Sequence, residues 1–263
     1  MRSSNPVLSR QGASSRDGYA NFYGSPEGLQ HQYDAPPAGP LQTGRMTLDD
    51  VVAKTALLLL VSVGVAAAAW VMLPMQVAMP LAIGSAILGL VLCLVITFMR
   101  RVSPPLILTY AVLEGFFLSG ISRVFEAQVG GIVLQAIFGT MVGFGAILWA
   151  YKSRRIRVTP RFTKILLTAL VGYVAVGLIA WMLSMFGVNL GLHGTGPLAL
   201  VWALGGVTLA VISFALDFAA VEEAIQYGAP RQQAWVSAFG LLVGLVWLYV
   251  NLLRLLWILQ SDD

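Results

Sequence analysis

The chain has 263 residues, of which 58% are hydrophobic and only 11% are charged, whereas a soluble globular domain carries about 25% charged residues. A soluble protein with so few charges could not cover its surface, so most of this chain is expected to face lipid. The composition excludes a soluble enzyme, a disordered regulator and a free nucleic-acid binder. The single cysteine, Cys93, excludes an intrachain disulfide and a cysteine-based metal cluster.

Residues 1–46 differ in composition from the rest of the chain. They contain five prolines and six glycines among scattered aromatic residues, and they lack the periodicity of a helix or a strand. This composition predicts a disordered, Pro/Gly-rich cytoplasmic tail. An alternative interpretation is a docking segment for a partner protein, because disordered segments often bind other proteins. With no apolar core in the first 30 residues, we expect no signal peptide.

Residues 47–263 are predicted to form a seven-transmembrane helical domain. The uncharged stretches 55–99 and 165–216 are each long enough for two spans of about 20 residues. The prolines at the two ends of 74–80 mark the expected turn in the first stretch, and a cluster of turn-forming residues in 187–197 divides the second. The alternation typical of β-barrel strands does not occur. The predicted spans are 52–73, 81–99, 105–124, 131–150, 165–186, 198–220 and 235–258.

Lysine and arginine residues predict the orientation of these spans, because the cytoplasmic loops of membrane proteins are enriched in them. With the N-terminus inside, eleven fall at the inner ends of the spans and two at the outer ends. The N-terminus is therefore predicted to be cytoplasmic, and the C-terminus to lie outside a cell (plasma) membrane. The inner set is Arg45, Lys54, Arg100, Arg101, Lys152, Arg154, Arg155, Arg157, Arg161, Lys164 and Arg231, and the outer set is Arg123 and Arg254.

Polar side chains within an apolar span are candidates for function, because a charge at the bilayer centre costs about 2.5–3.5 kcal/mol on insertion scales. Glu114 is predicted near the middle of the third span, and Asp217 near the inner end of the sixth. Asn251 is predicted in the outer half of the seventh span, and Arg254 follows it on nearly the same helix face. Structural alternatives stay open: Glu114 as a neutral acid bonded to a backbone carbonyl, Asp217 in contact with interfacial water, and Arg254 extended towards the outer interface.

Catalytic sites are disfavoured by the positions of the histidines and lysines. His31 lies in the tail and His193 in a predicted outer loop, so the spans lack the residues for an intramembrane metal site or a serine–histidine pair. All lysines lie at the predicted membrane edges, which disfavours a retinal Schiff base. No Walker-type glycine loop occurs. We therefore expect no enzyme and no bound cofactor, which leaves ion handling or the regulation of a partner.

Several segments together resemble the Bax inhibitor-1 family of seven-helix membrane proteins, in particular an actinobacterial-type branch with a proline-rich N-terminal tail. The resemblance extends well over residues 45–263 and loosely over the tail. No single motif is diagnostic, but their order and spacing are fairly specific. The segments are Arg2–Pro6 (RSSNP), Tyr110–Gly120 (YAVLEGFFLSG), Tyr151–Pro160 (YKSRRIRVTP), Phe214–Glu222 (FALDFAAVE) and Ala238–Leu256 (AFGLLVGLVWLYVNLLRLL).

The resemblance implies an all-α membrane protein, a seven-transmembrane bundle in which six helices surround a central C-terminal helix. It also implies a pH-sensitive calcium leak channel in which aspartates on the last two helices share protons. Asp217 matches the aspartate of the sixth helix. The family often has a carboxylate after the sequence LYL in the last helix, where this chain has Asn251, and Arg254 resembles an arginine just downstream. An Asp–Asn pair has one proton site instead of two coupled ones.

Two functional hypotheses follow. The first is a cation leak channel, with calcium the ion that oxygen ligands from Asp217, Glu114 and Asn251 would suit, and with Asp217 as the proton-sensing carboxylate. Asp217 and Glu114 are the tentative calcium ligands. The second hypothesis is a membrane regulator without transport, which acts on a partner such as a membrane protease or a stress-response component. A proton-coupled carrier is a third possibility.

Overall fold

The computed structural model describes residues 44–99, 102–153, 155, 158–192 and 194–261. Seven helices in these residues are long and apolar enough to cross a membrane, which confirms the predicted seven-span, all-α fold. The predicted tail lies outside the described residues up to position 43, so its disorder stays a prediction. The helices are α1 (Leu48–Met72), α2 (Met75–Phe98), α3 (Pro104–Glu126), α4 (Ile132–Lys152), α5 (Pro160–Met185), α6 (Pro197–Gln226) and α7 (Gln233–Gln260).

The first residues of several helices carry ordinary start signals. Thr47 and Asp50 form a capping box in which each side chain bonds to the other residue's backbone N–H. This signal places the start of α1 four residues before the predicted span. Pro104, Pro160 and Pro197 each occupy the first helical turn, where a missing N–H costs no hydrogen bond.

The turn between α1 and α2 is shorter than the sequence suggested. Pro74 immediately precedes α2, but Pro80 lies inside it. The prediction that Pro80 marks the turn is therefore wrong. A proline within a transmembrane helix is tolerated when neighbouring helices and local adjustments satisfy the freed backbone groups.

The C-terminal helix is the centre of the bundle. α7 packs against α1, α3, α4 and α6, whereas α2 joins the bundle chiefly through α3 and α5 chiefly through α6. Leu242, Leu248 and Leu253 of α7 are fully buried. In contrast, α2 and α5 expose large apolar side chains such as Phe98 and Val171, as helices in contact with lipid are expected to do. The predicted central seventh helix is confirmed.

Small residues allow several of these helices to approach closely. A Cβ at Gly143 would lie 3.4 Å from Leu248 of α7, and one at Gly139 would lie 3.3 Å from Leu252. A Cβ at Gly244 would lie 2.9 Å from the ring of Phe214 on α6. Gly240 does not take part, since a Cβ there would have no described neighbour within 4 Å.

We call the end of the bundle at which α1, α3, α5 and α7 begin the inner face, because the charge pattern predicts that it is cytoplasmic. Just before α1, the segment Gly44–Thr47, here named the strap, lies against the α6–α7 loop. An antiparallel bridge joins Arg45 to Pro230, and Met46 is 2% exposed. The last three residues of the predicted disordered tail are thus ordered, because their backbone groups bond to the loop.

Candidate functional site

Asp217 lies on α6 and faces the central helix. The residue is partly buried, and its Oδ2 would lie 3.6 Å from a Cβ at Gly244 of α7. Among the described residues, Asp217 forms no hydrogen bond and no ion pair. Because Gln226 ends α6 nine residues later, the carboxylate lies about 14 Å from the inner end of the helix at 1.5 Å per residue. Asp217 therefore lies further from the end of its helix than the predicted span limit at residue 220 implied.

Aromatic side chains surround this position on the side of α4. The ring of Phe144 lies 5.1 Å from that of Phe214 and 5.6 Å from that of Phe218, in edge-to-face arrangements. One turn closer to the inner face, the hydroxyl of Tyr151 donates to Glu222 Oε2 at 2.6 Å. These contacts join α4 to α6 next to Asp217, and two of the rings, Phe214 and Phe218, flank it in the sequence of α6.

A second polar cluster lies further out, around Asn251 of α7. Asn251 is buried, its Oδ1 accepts from the Tyr173 hydroxyl at 3.1 Å, and its Nδ2 donates to the Trp247 carbonyl at 2.9 Å. The Tyr173 ring stacks on Trp202 with centroids 4.1 Å apart. A Cβ at Gly206 would overlap both the Tyr173 hydroxyl and Asn251 Oδ1, so only glycine fits there. We call Tyr173, Trp202, Gly206 and Asn251 the outer cluster.

Arg254 does not bond to Asn251, although the two lie on nearly the same face of α7. Its guanidinium donates to the Leu192 carbonyl in the loop between α5 and α6. This contact agrees with the alternative in which the arginine reaches towards the outer interface. It attaches an outer loop to the central helix and contributes nothing to the surroundings of Asp217.

Glu114 lies on α3 and takes part in a third, separate arrangement. Its Oε1 accepts a hydrogen bond from the Tyr110 hydroxyl, while its Oε2 is buried and has no partner among the described residues. The Tyr110 ring in turn packs edge-to-face on Phe239 of α7, with centroids 4.9 Å apart. The partner of Glu114 is thus a tyrosine hydroxyl one turn away, and not the backbone carbonyl considered from the sequence.

The residues of the expected proton-sharing pair do not come together. Asn251 lies seven residues beyond Gly244, the α7 residue that faces Asp217, which corresponds to about 10.5 Å along the helix axis. The side chain of Asn251 is engaged with Tyr173 and Trp247 instead. Asp217 and Asn251 therefore do not form the pair that the resemblance implied.

The tentative calcium ligands are not joined either. Glu114 is bonded to Tyr110 of its own helix, whereas Asp217 lies on α6 against α7. Among the described residues, no group of three or more His, Cys, Asp or Glu side chains is arranged to hold a metal ion.

Two contacts were missed by the sequence reasoning. Arg231 Nε donates to Asp50 Oδ1 at 2.7 Å across 181 positions of the chain. The capping box at Thr47 was a signal for the ordered start of α1, but no local pattern links it to Arg231. The only sequence signal for the hydrogen bond between Tyr173 and Asn251 was the presence of a tyrosine hydroxyl within an apolar span.

Nearly the whole chain is similar to a known protein family. The sequence matches a family model described as Bax inhibitor 1 like over residues 5–261. The match begins within the predicted tail and includes Asp217, Glu114 and Asn251. A comparison with curated protein sequences gives no match. The family match agrees with the resemblance carried by the five sequence segments.

Proposed function

The chain belongs to the Bax inhibitor 1 like family of membrane proteins, and on that basis we propose that it is a pH-sensitive cation leak channel with Asp217 as the proton-sensing carboxylate. The function is transport and not catalysis. One observation carries the proposal: Asp217 is a carboxylate inside the bundle, against the central helix, without a hydrogen bond or ion pair to any described residue.

The pH dependence follows from the cost of charge in an apolar environment. An ionised carboxylate without a partner is unfavourable there, by about 2.5–3.5 kcal/mol on insertion scales. The conformation in which Asp217 packs against α7 therefore suits the protonated form of this residue. Ionisation favours a conformation in which the carboxylate meets water or a cation, so a rise in pH is expected to favour the conducting state.

Calcium is the proposed ion because it prefers oxygen ligands and accepts flexible coordination with several waters. One carboxylate suits a passing ion that keeps part of its hydration shell. Glu114 is separately placed, so we propose it as a second carboxylate within the bundle and not as a ligand to the same ion.

Calcium uptake into proteoliposomes over a pH series tests this function. We expect uptake to rise with pH in the unaltered protein, and Asp217→Asn to give low uptake that no longer depends on pH. Asp49→Asn is the matched control, because Asp49 is an exposed carboxylate at the inner end of α1. If Asp217→Asn leaves both the uptake and its pH dependence unchanged, Asp217 is not the sensor.

The orientation proposed from the charge pattern places the strap in the cytoplasm and the C-terminus outside the plasma membrane. A reporter fused after Asp263 checks this orientation. We expect signal from a reporter that is active outside the cytoplasm. Activity of a cytoplasm-only reporter at the same position would reverse the assignment of the two faces.

A second candidate function is regulation of a membrane protein partner, such as a membrane protease or a stress-response component, through the tail. It is favoured by the family match, which begins at residue 5, and by the strap that follows the tail directly. Deletion of residues 2–43 retains the strap, and we expect it to remove co-purifying partners. Partners retained after the deletion would contradict a docking tail.

A further inference from the structure

The strap is held to the α6–α7 loop by backbone hydrogen bonds in both directions. The Met46 N–H donates to the Ala229 carbonyl at 2.8 Å, and the Arg231 N–H donates to the Gly44 carbonyl at 2.9 Å. These bonds flank the bridge between Arg45 and Pro230, so this bridge is a non-hydrogen-bonded pair. Proline fits there because the position needs no N–H donor.

Side chains reinforce the same attachment. Arg231 Nε donates to Asp50 Oδ1 at 2.7 Å, and the ammonium of Lys54 donates to the Arg231 carbonyl at 3.0 Å. Lys54 also lies over the ring of Trp235, 5.6 Å from its centroid. The first turns of α1 and the loop before α7 are therefore joined by an ion pair and a charged hydrogen bond, in addition to the backbone bonds.

Met46 inserts its side chain into the bundle at this point. It is 2% exposed and belongs to the same buried cluster as Val221 of α6 and Leu241 and Leu245 of α7. Val221 lies one turn nearer the inner face than Asp217, on the same side of α6. Met46 and Val221 therefore belong to one buried cluster on the inner side of Asp217.

From these contacts we infer that the strap is the inner gate of the Asp217 site, with Met46 as its plug. The chain must detach the strap from the α6–α7 loop before Asp217 can exchange protons or cations with the inner aqueous phase. Because the strap directly follows residue 43, a change in the tail can act on the gate. The inference rests on the proposed role of Asp217, but its test does not use ion flux.

Access to position 217 is measured with a membrane-impermeant thiol reagent. Asp217→Cys in a Cys93→Ser background provides a single thiol, and the reagent is added separately to each side of oriented membranes. We expect Met46→Ala to raise the labelling rate from the inner side by about tenfold, because truncation of a fully buried methionine removes most of its packing. Met72→Ala is the control, since Met72 is 78% exposed at the other end of α1, and it should leave the rate unchanged.

A reversible disulfide between the strap and the α6–α7 loop, here called the lock, tests whether a change in labelling comes from gating or from misfolding. Non-hydrogen-bonded antiparallel pairs bring Cα atoms within the range that a disulfide spans. Arg45→Cys with Pro230→Cys, added to the single-thiol background, should slow labelling at position 217 severalfold after oxidation and restore it after reduction. Arg45→Cys alone is the control and should show neither effect.

The results distinguish the gate from the proposed function. Labelling that rises with Met46→Ala and falls with the oxidised lock supports the gate, whether or not calcium uptake is found. If the labelling rate is the same in the oxidised and reduced lock, opening does not require release of the strap and the inference is overturned. An absence of calcium uptake together with lock-dependent labelling would overturn the leak function alone.

Discussion

The outer cluster and the Asp217 site both lie between α6 and α7, with Tyr173 of α5 joining the outer cluster, but their polar groups differ in hydrogen bonding. In the outer cluster, Asn251 uses both its amide oxygen and its amide nitrogen, and the Tyr173 ring is stacked on Trp202. At the inner site, Asp217 has no hydrogen bond to a described residue. Buried polar groups whose hydrogen bonds are all formed make a fold rigid, which suits the outer cluster to a structural role. A buried carboxylate without a partner raises the free energy of the conformation that holds it, which suits the Asp217 site to a conformational change.

Within the outer cluster, the largest expected effect on stability is at Gly206, where the cluster leaves no space. Gly206→Ala places a Cβ on the Tyr173 hydroxyl and on Asn251 Oδ1, and such overpacking costs about 1–3 kcal/mol. We expect a lower temperature of thermal unfolding in detergent. Gly205→Ala is the control, because a Cβ there would meet no packing neighbour within 4 Å among the described residues. Equal stabilities for the two variants would show that the cluster is loosely packed.

A smaller effect is expected from removal of the hydrogen bond in the outer cluster. Tyr173→Phe keeps the ring that stacks on Trp202 but leaves Asn251 Oδ1 without its donor, at a cost of about 1 kcal/mol. The pH dependence of calcium uptake should stay unchanged, since this cluster contains no carboxylate. A shifted pH profile in this variant would show that the outer cluster and Asp217 belong to one proton-sensing unit.

The smallest stability effect is expected at the inner face. Asp50→Asn weakens an ion pair between the 8% exposed Asp50 and the 53% exposed Arg231, while the asparagine oxygen can still accept from the Thr47 N–H. Because the arginine is in contact with water, we expect the contribution of about 0.2–1 kcal/mol that solvent-exposed pairs make. Thermal unfolding should hardly change, whereas labelling at position 217 should rise by a few-fold. A loss of thermal stability as large as that of Gly206→Ala would mean that the strap is a structural anchor and not a gate.

Much of the fold could be predicted from composition, because seven apolar stretches separated by charges and turn residues leave few alternatives. The position of Pro80 inside α2 could not, since neighbouring helices decide whether a proline ends a transmembrane helix. Asp217 and Glu114 stood out as acids within apolar spans. Whether each finds a partner depends on helix rotation, which the sequence leaves undetermined: Glu114 bonds to Tyr110, and Asp217 bonds to no described residue.

Side-chain pairs that are distant in the sequence could not be predicted either. Asp50 and Arg231 are 181 positions apart, and Tyr173 and Asn251 are 78 apart. Each pair forms only when α7 takes its central position, and no local pattern encodes this. The order of the strap could not be predicted for the same reason. Gly44 and Arg45 have the same composition as the tail, and their structure depends on contacts with the α6–α7 loop.

Infrared difference spectroscopy over a pH series can observe the protonation of Asp217 directly and so test whether this residue is the proton sensor. A protonated carboxyl group without hydrogen bonds absorbs at a higher frequency than one in water, so the buried acids can be separated from exposed ones. We predict a pH-dependent band of this kind that is lost in Asp217→Asn and retained in Glu114→Gln. A band that persists in Asp217→Asn, or that disappears only in Glu114→Gln, would contradict the assignment of Asp217 as the proton sensor.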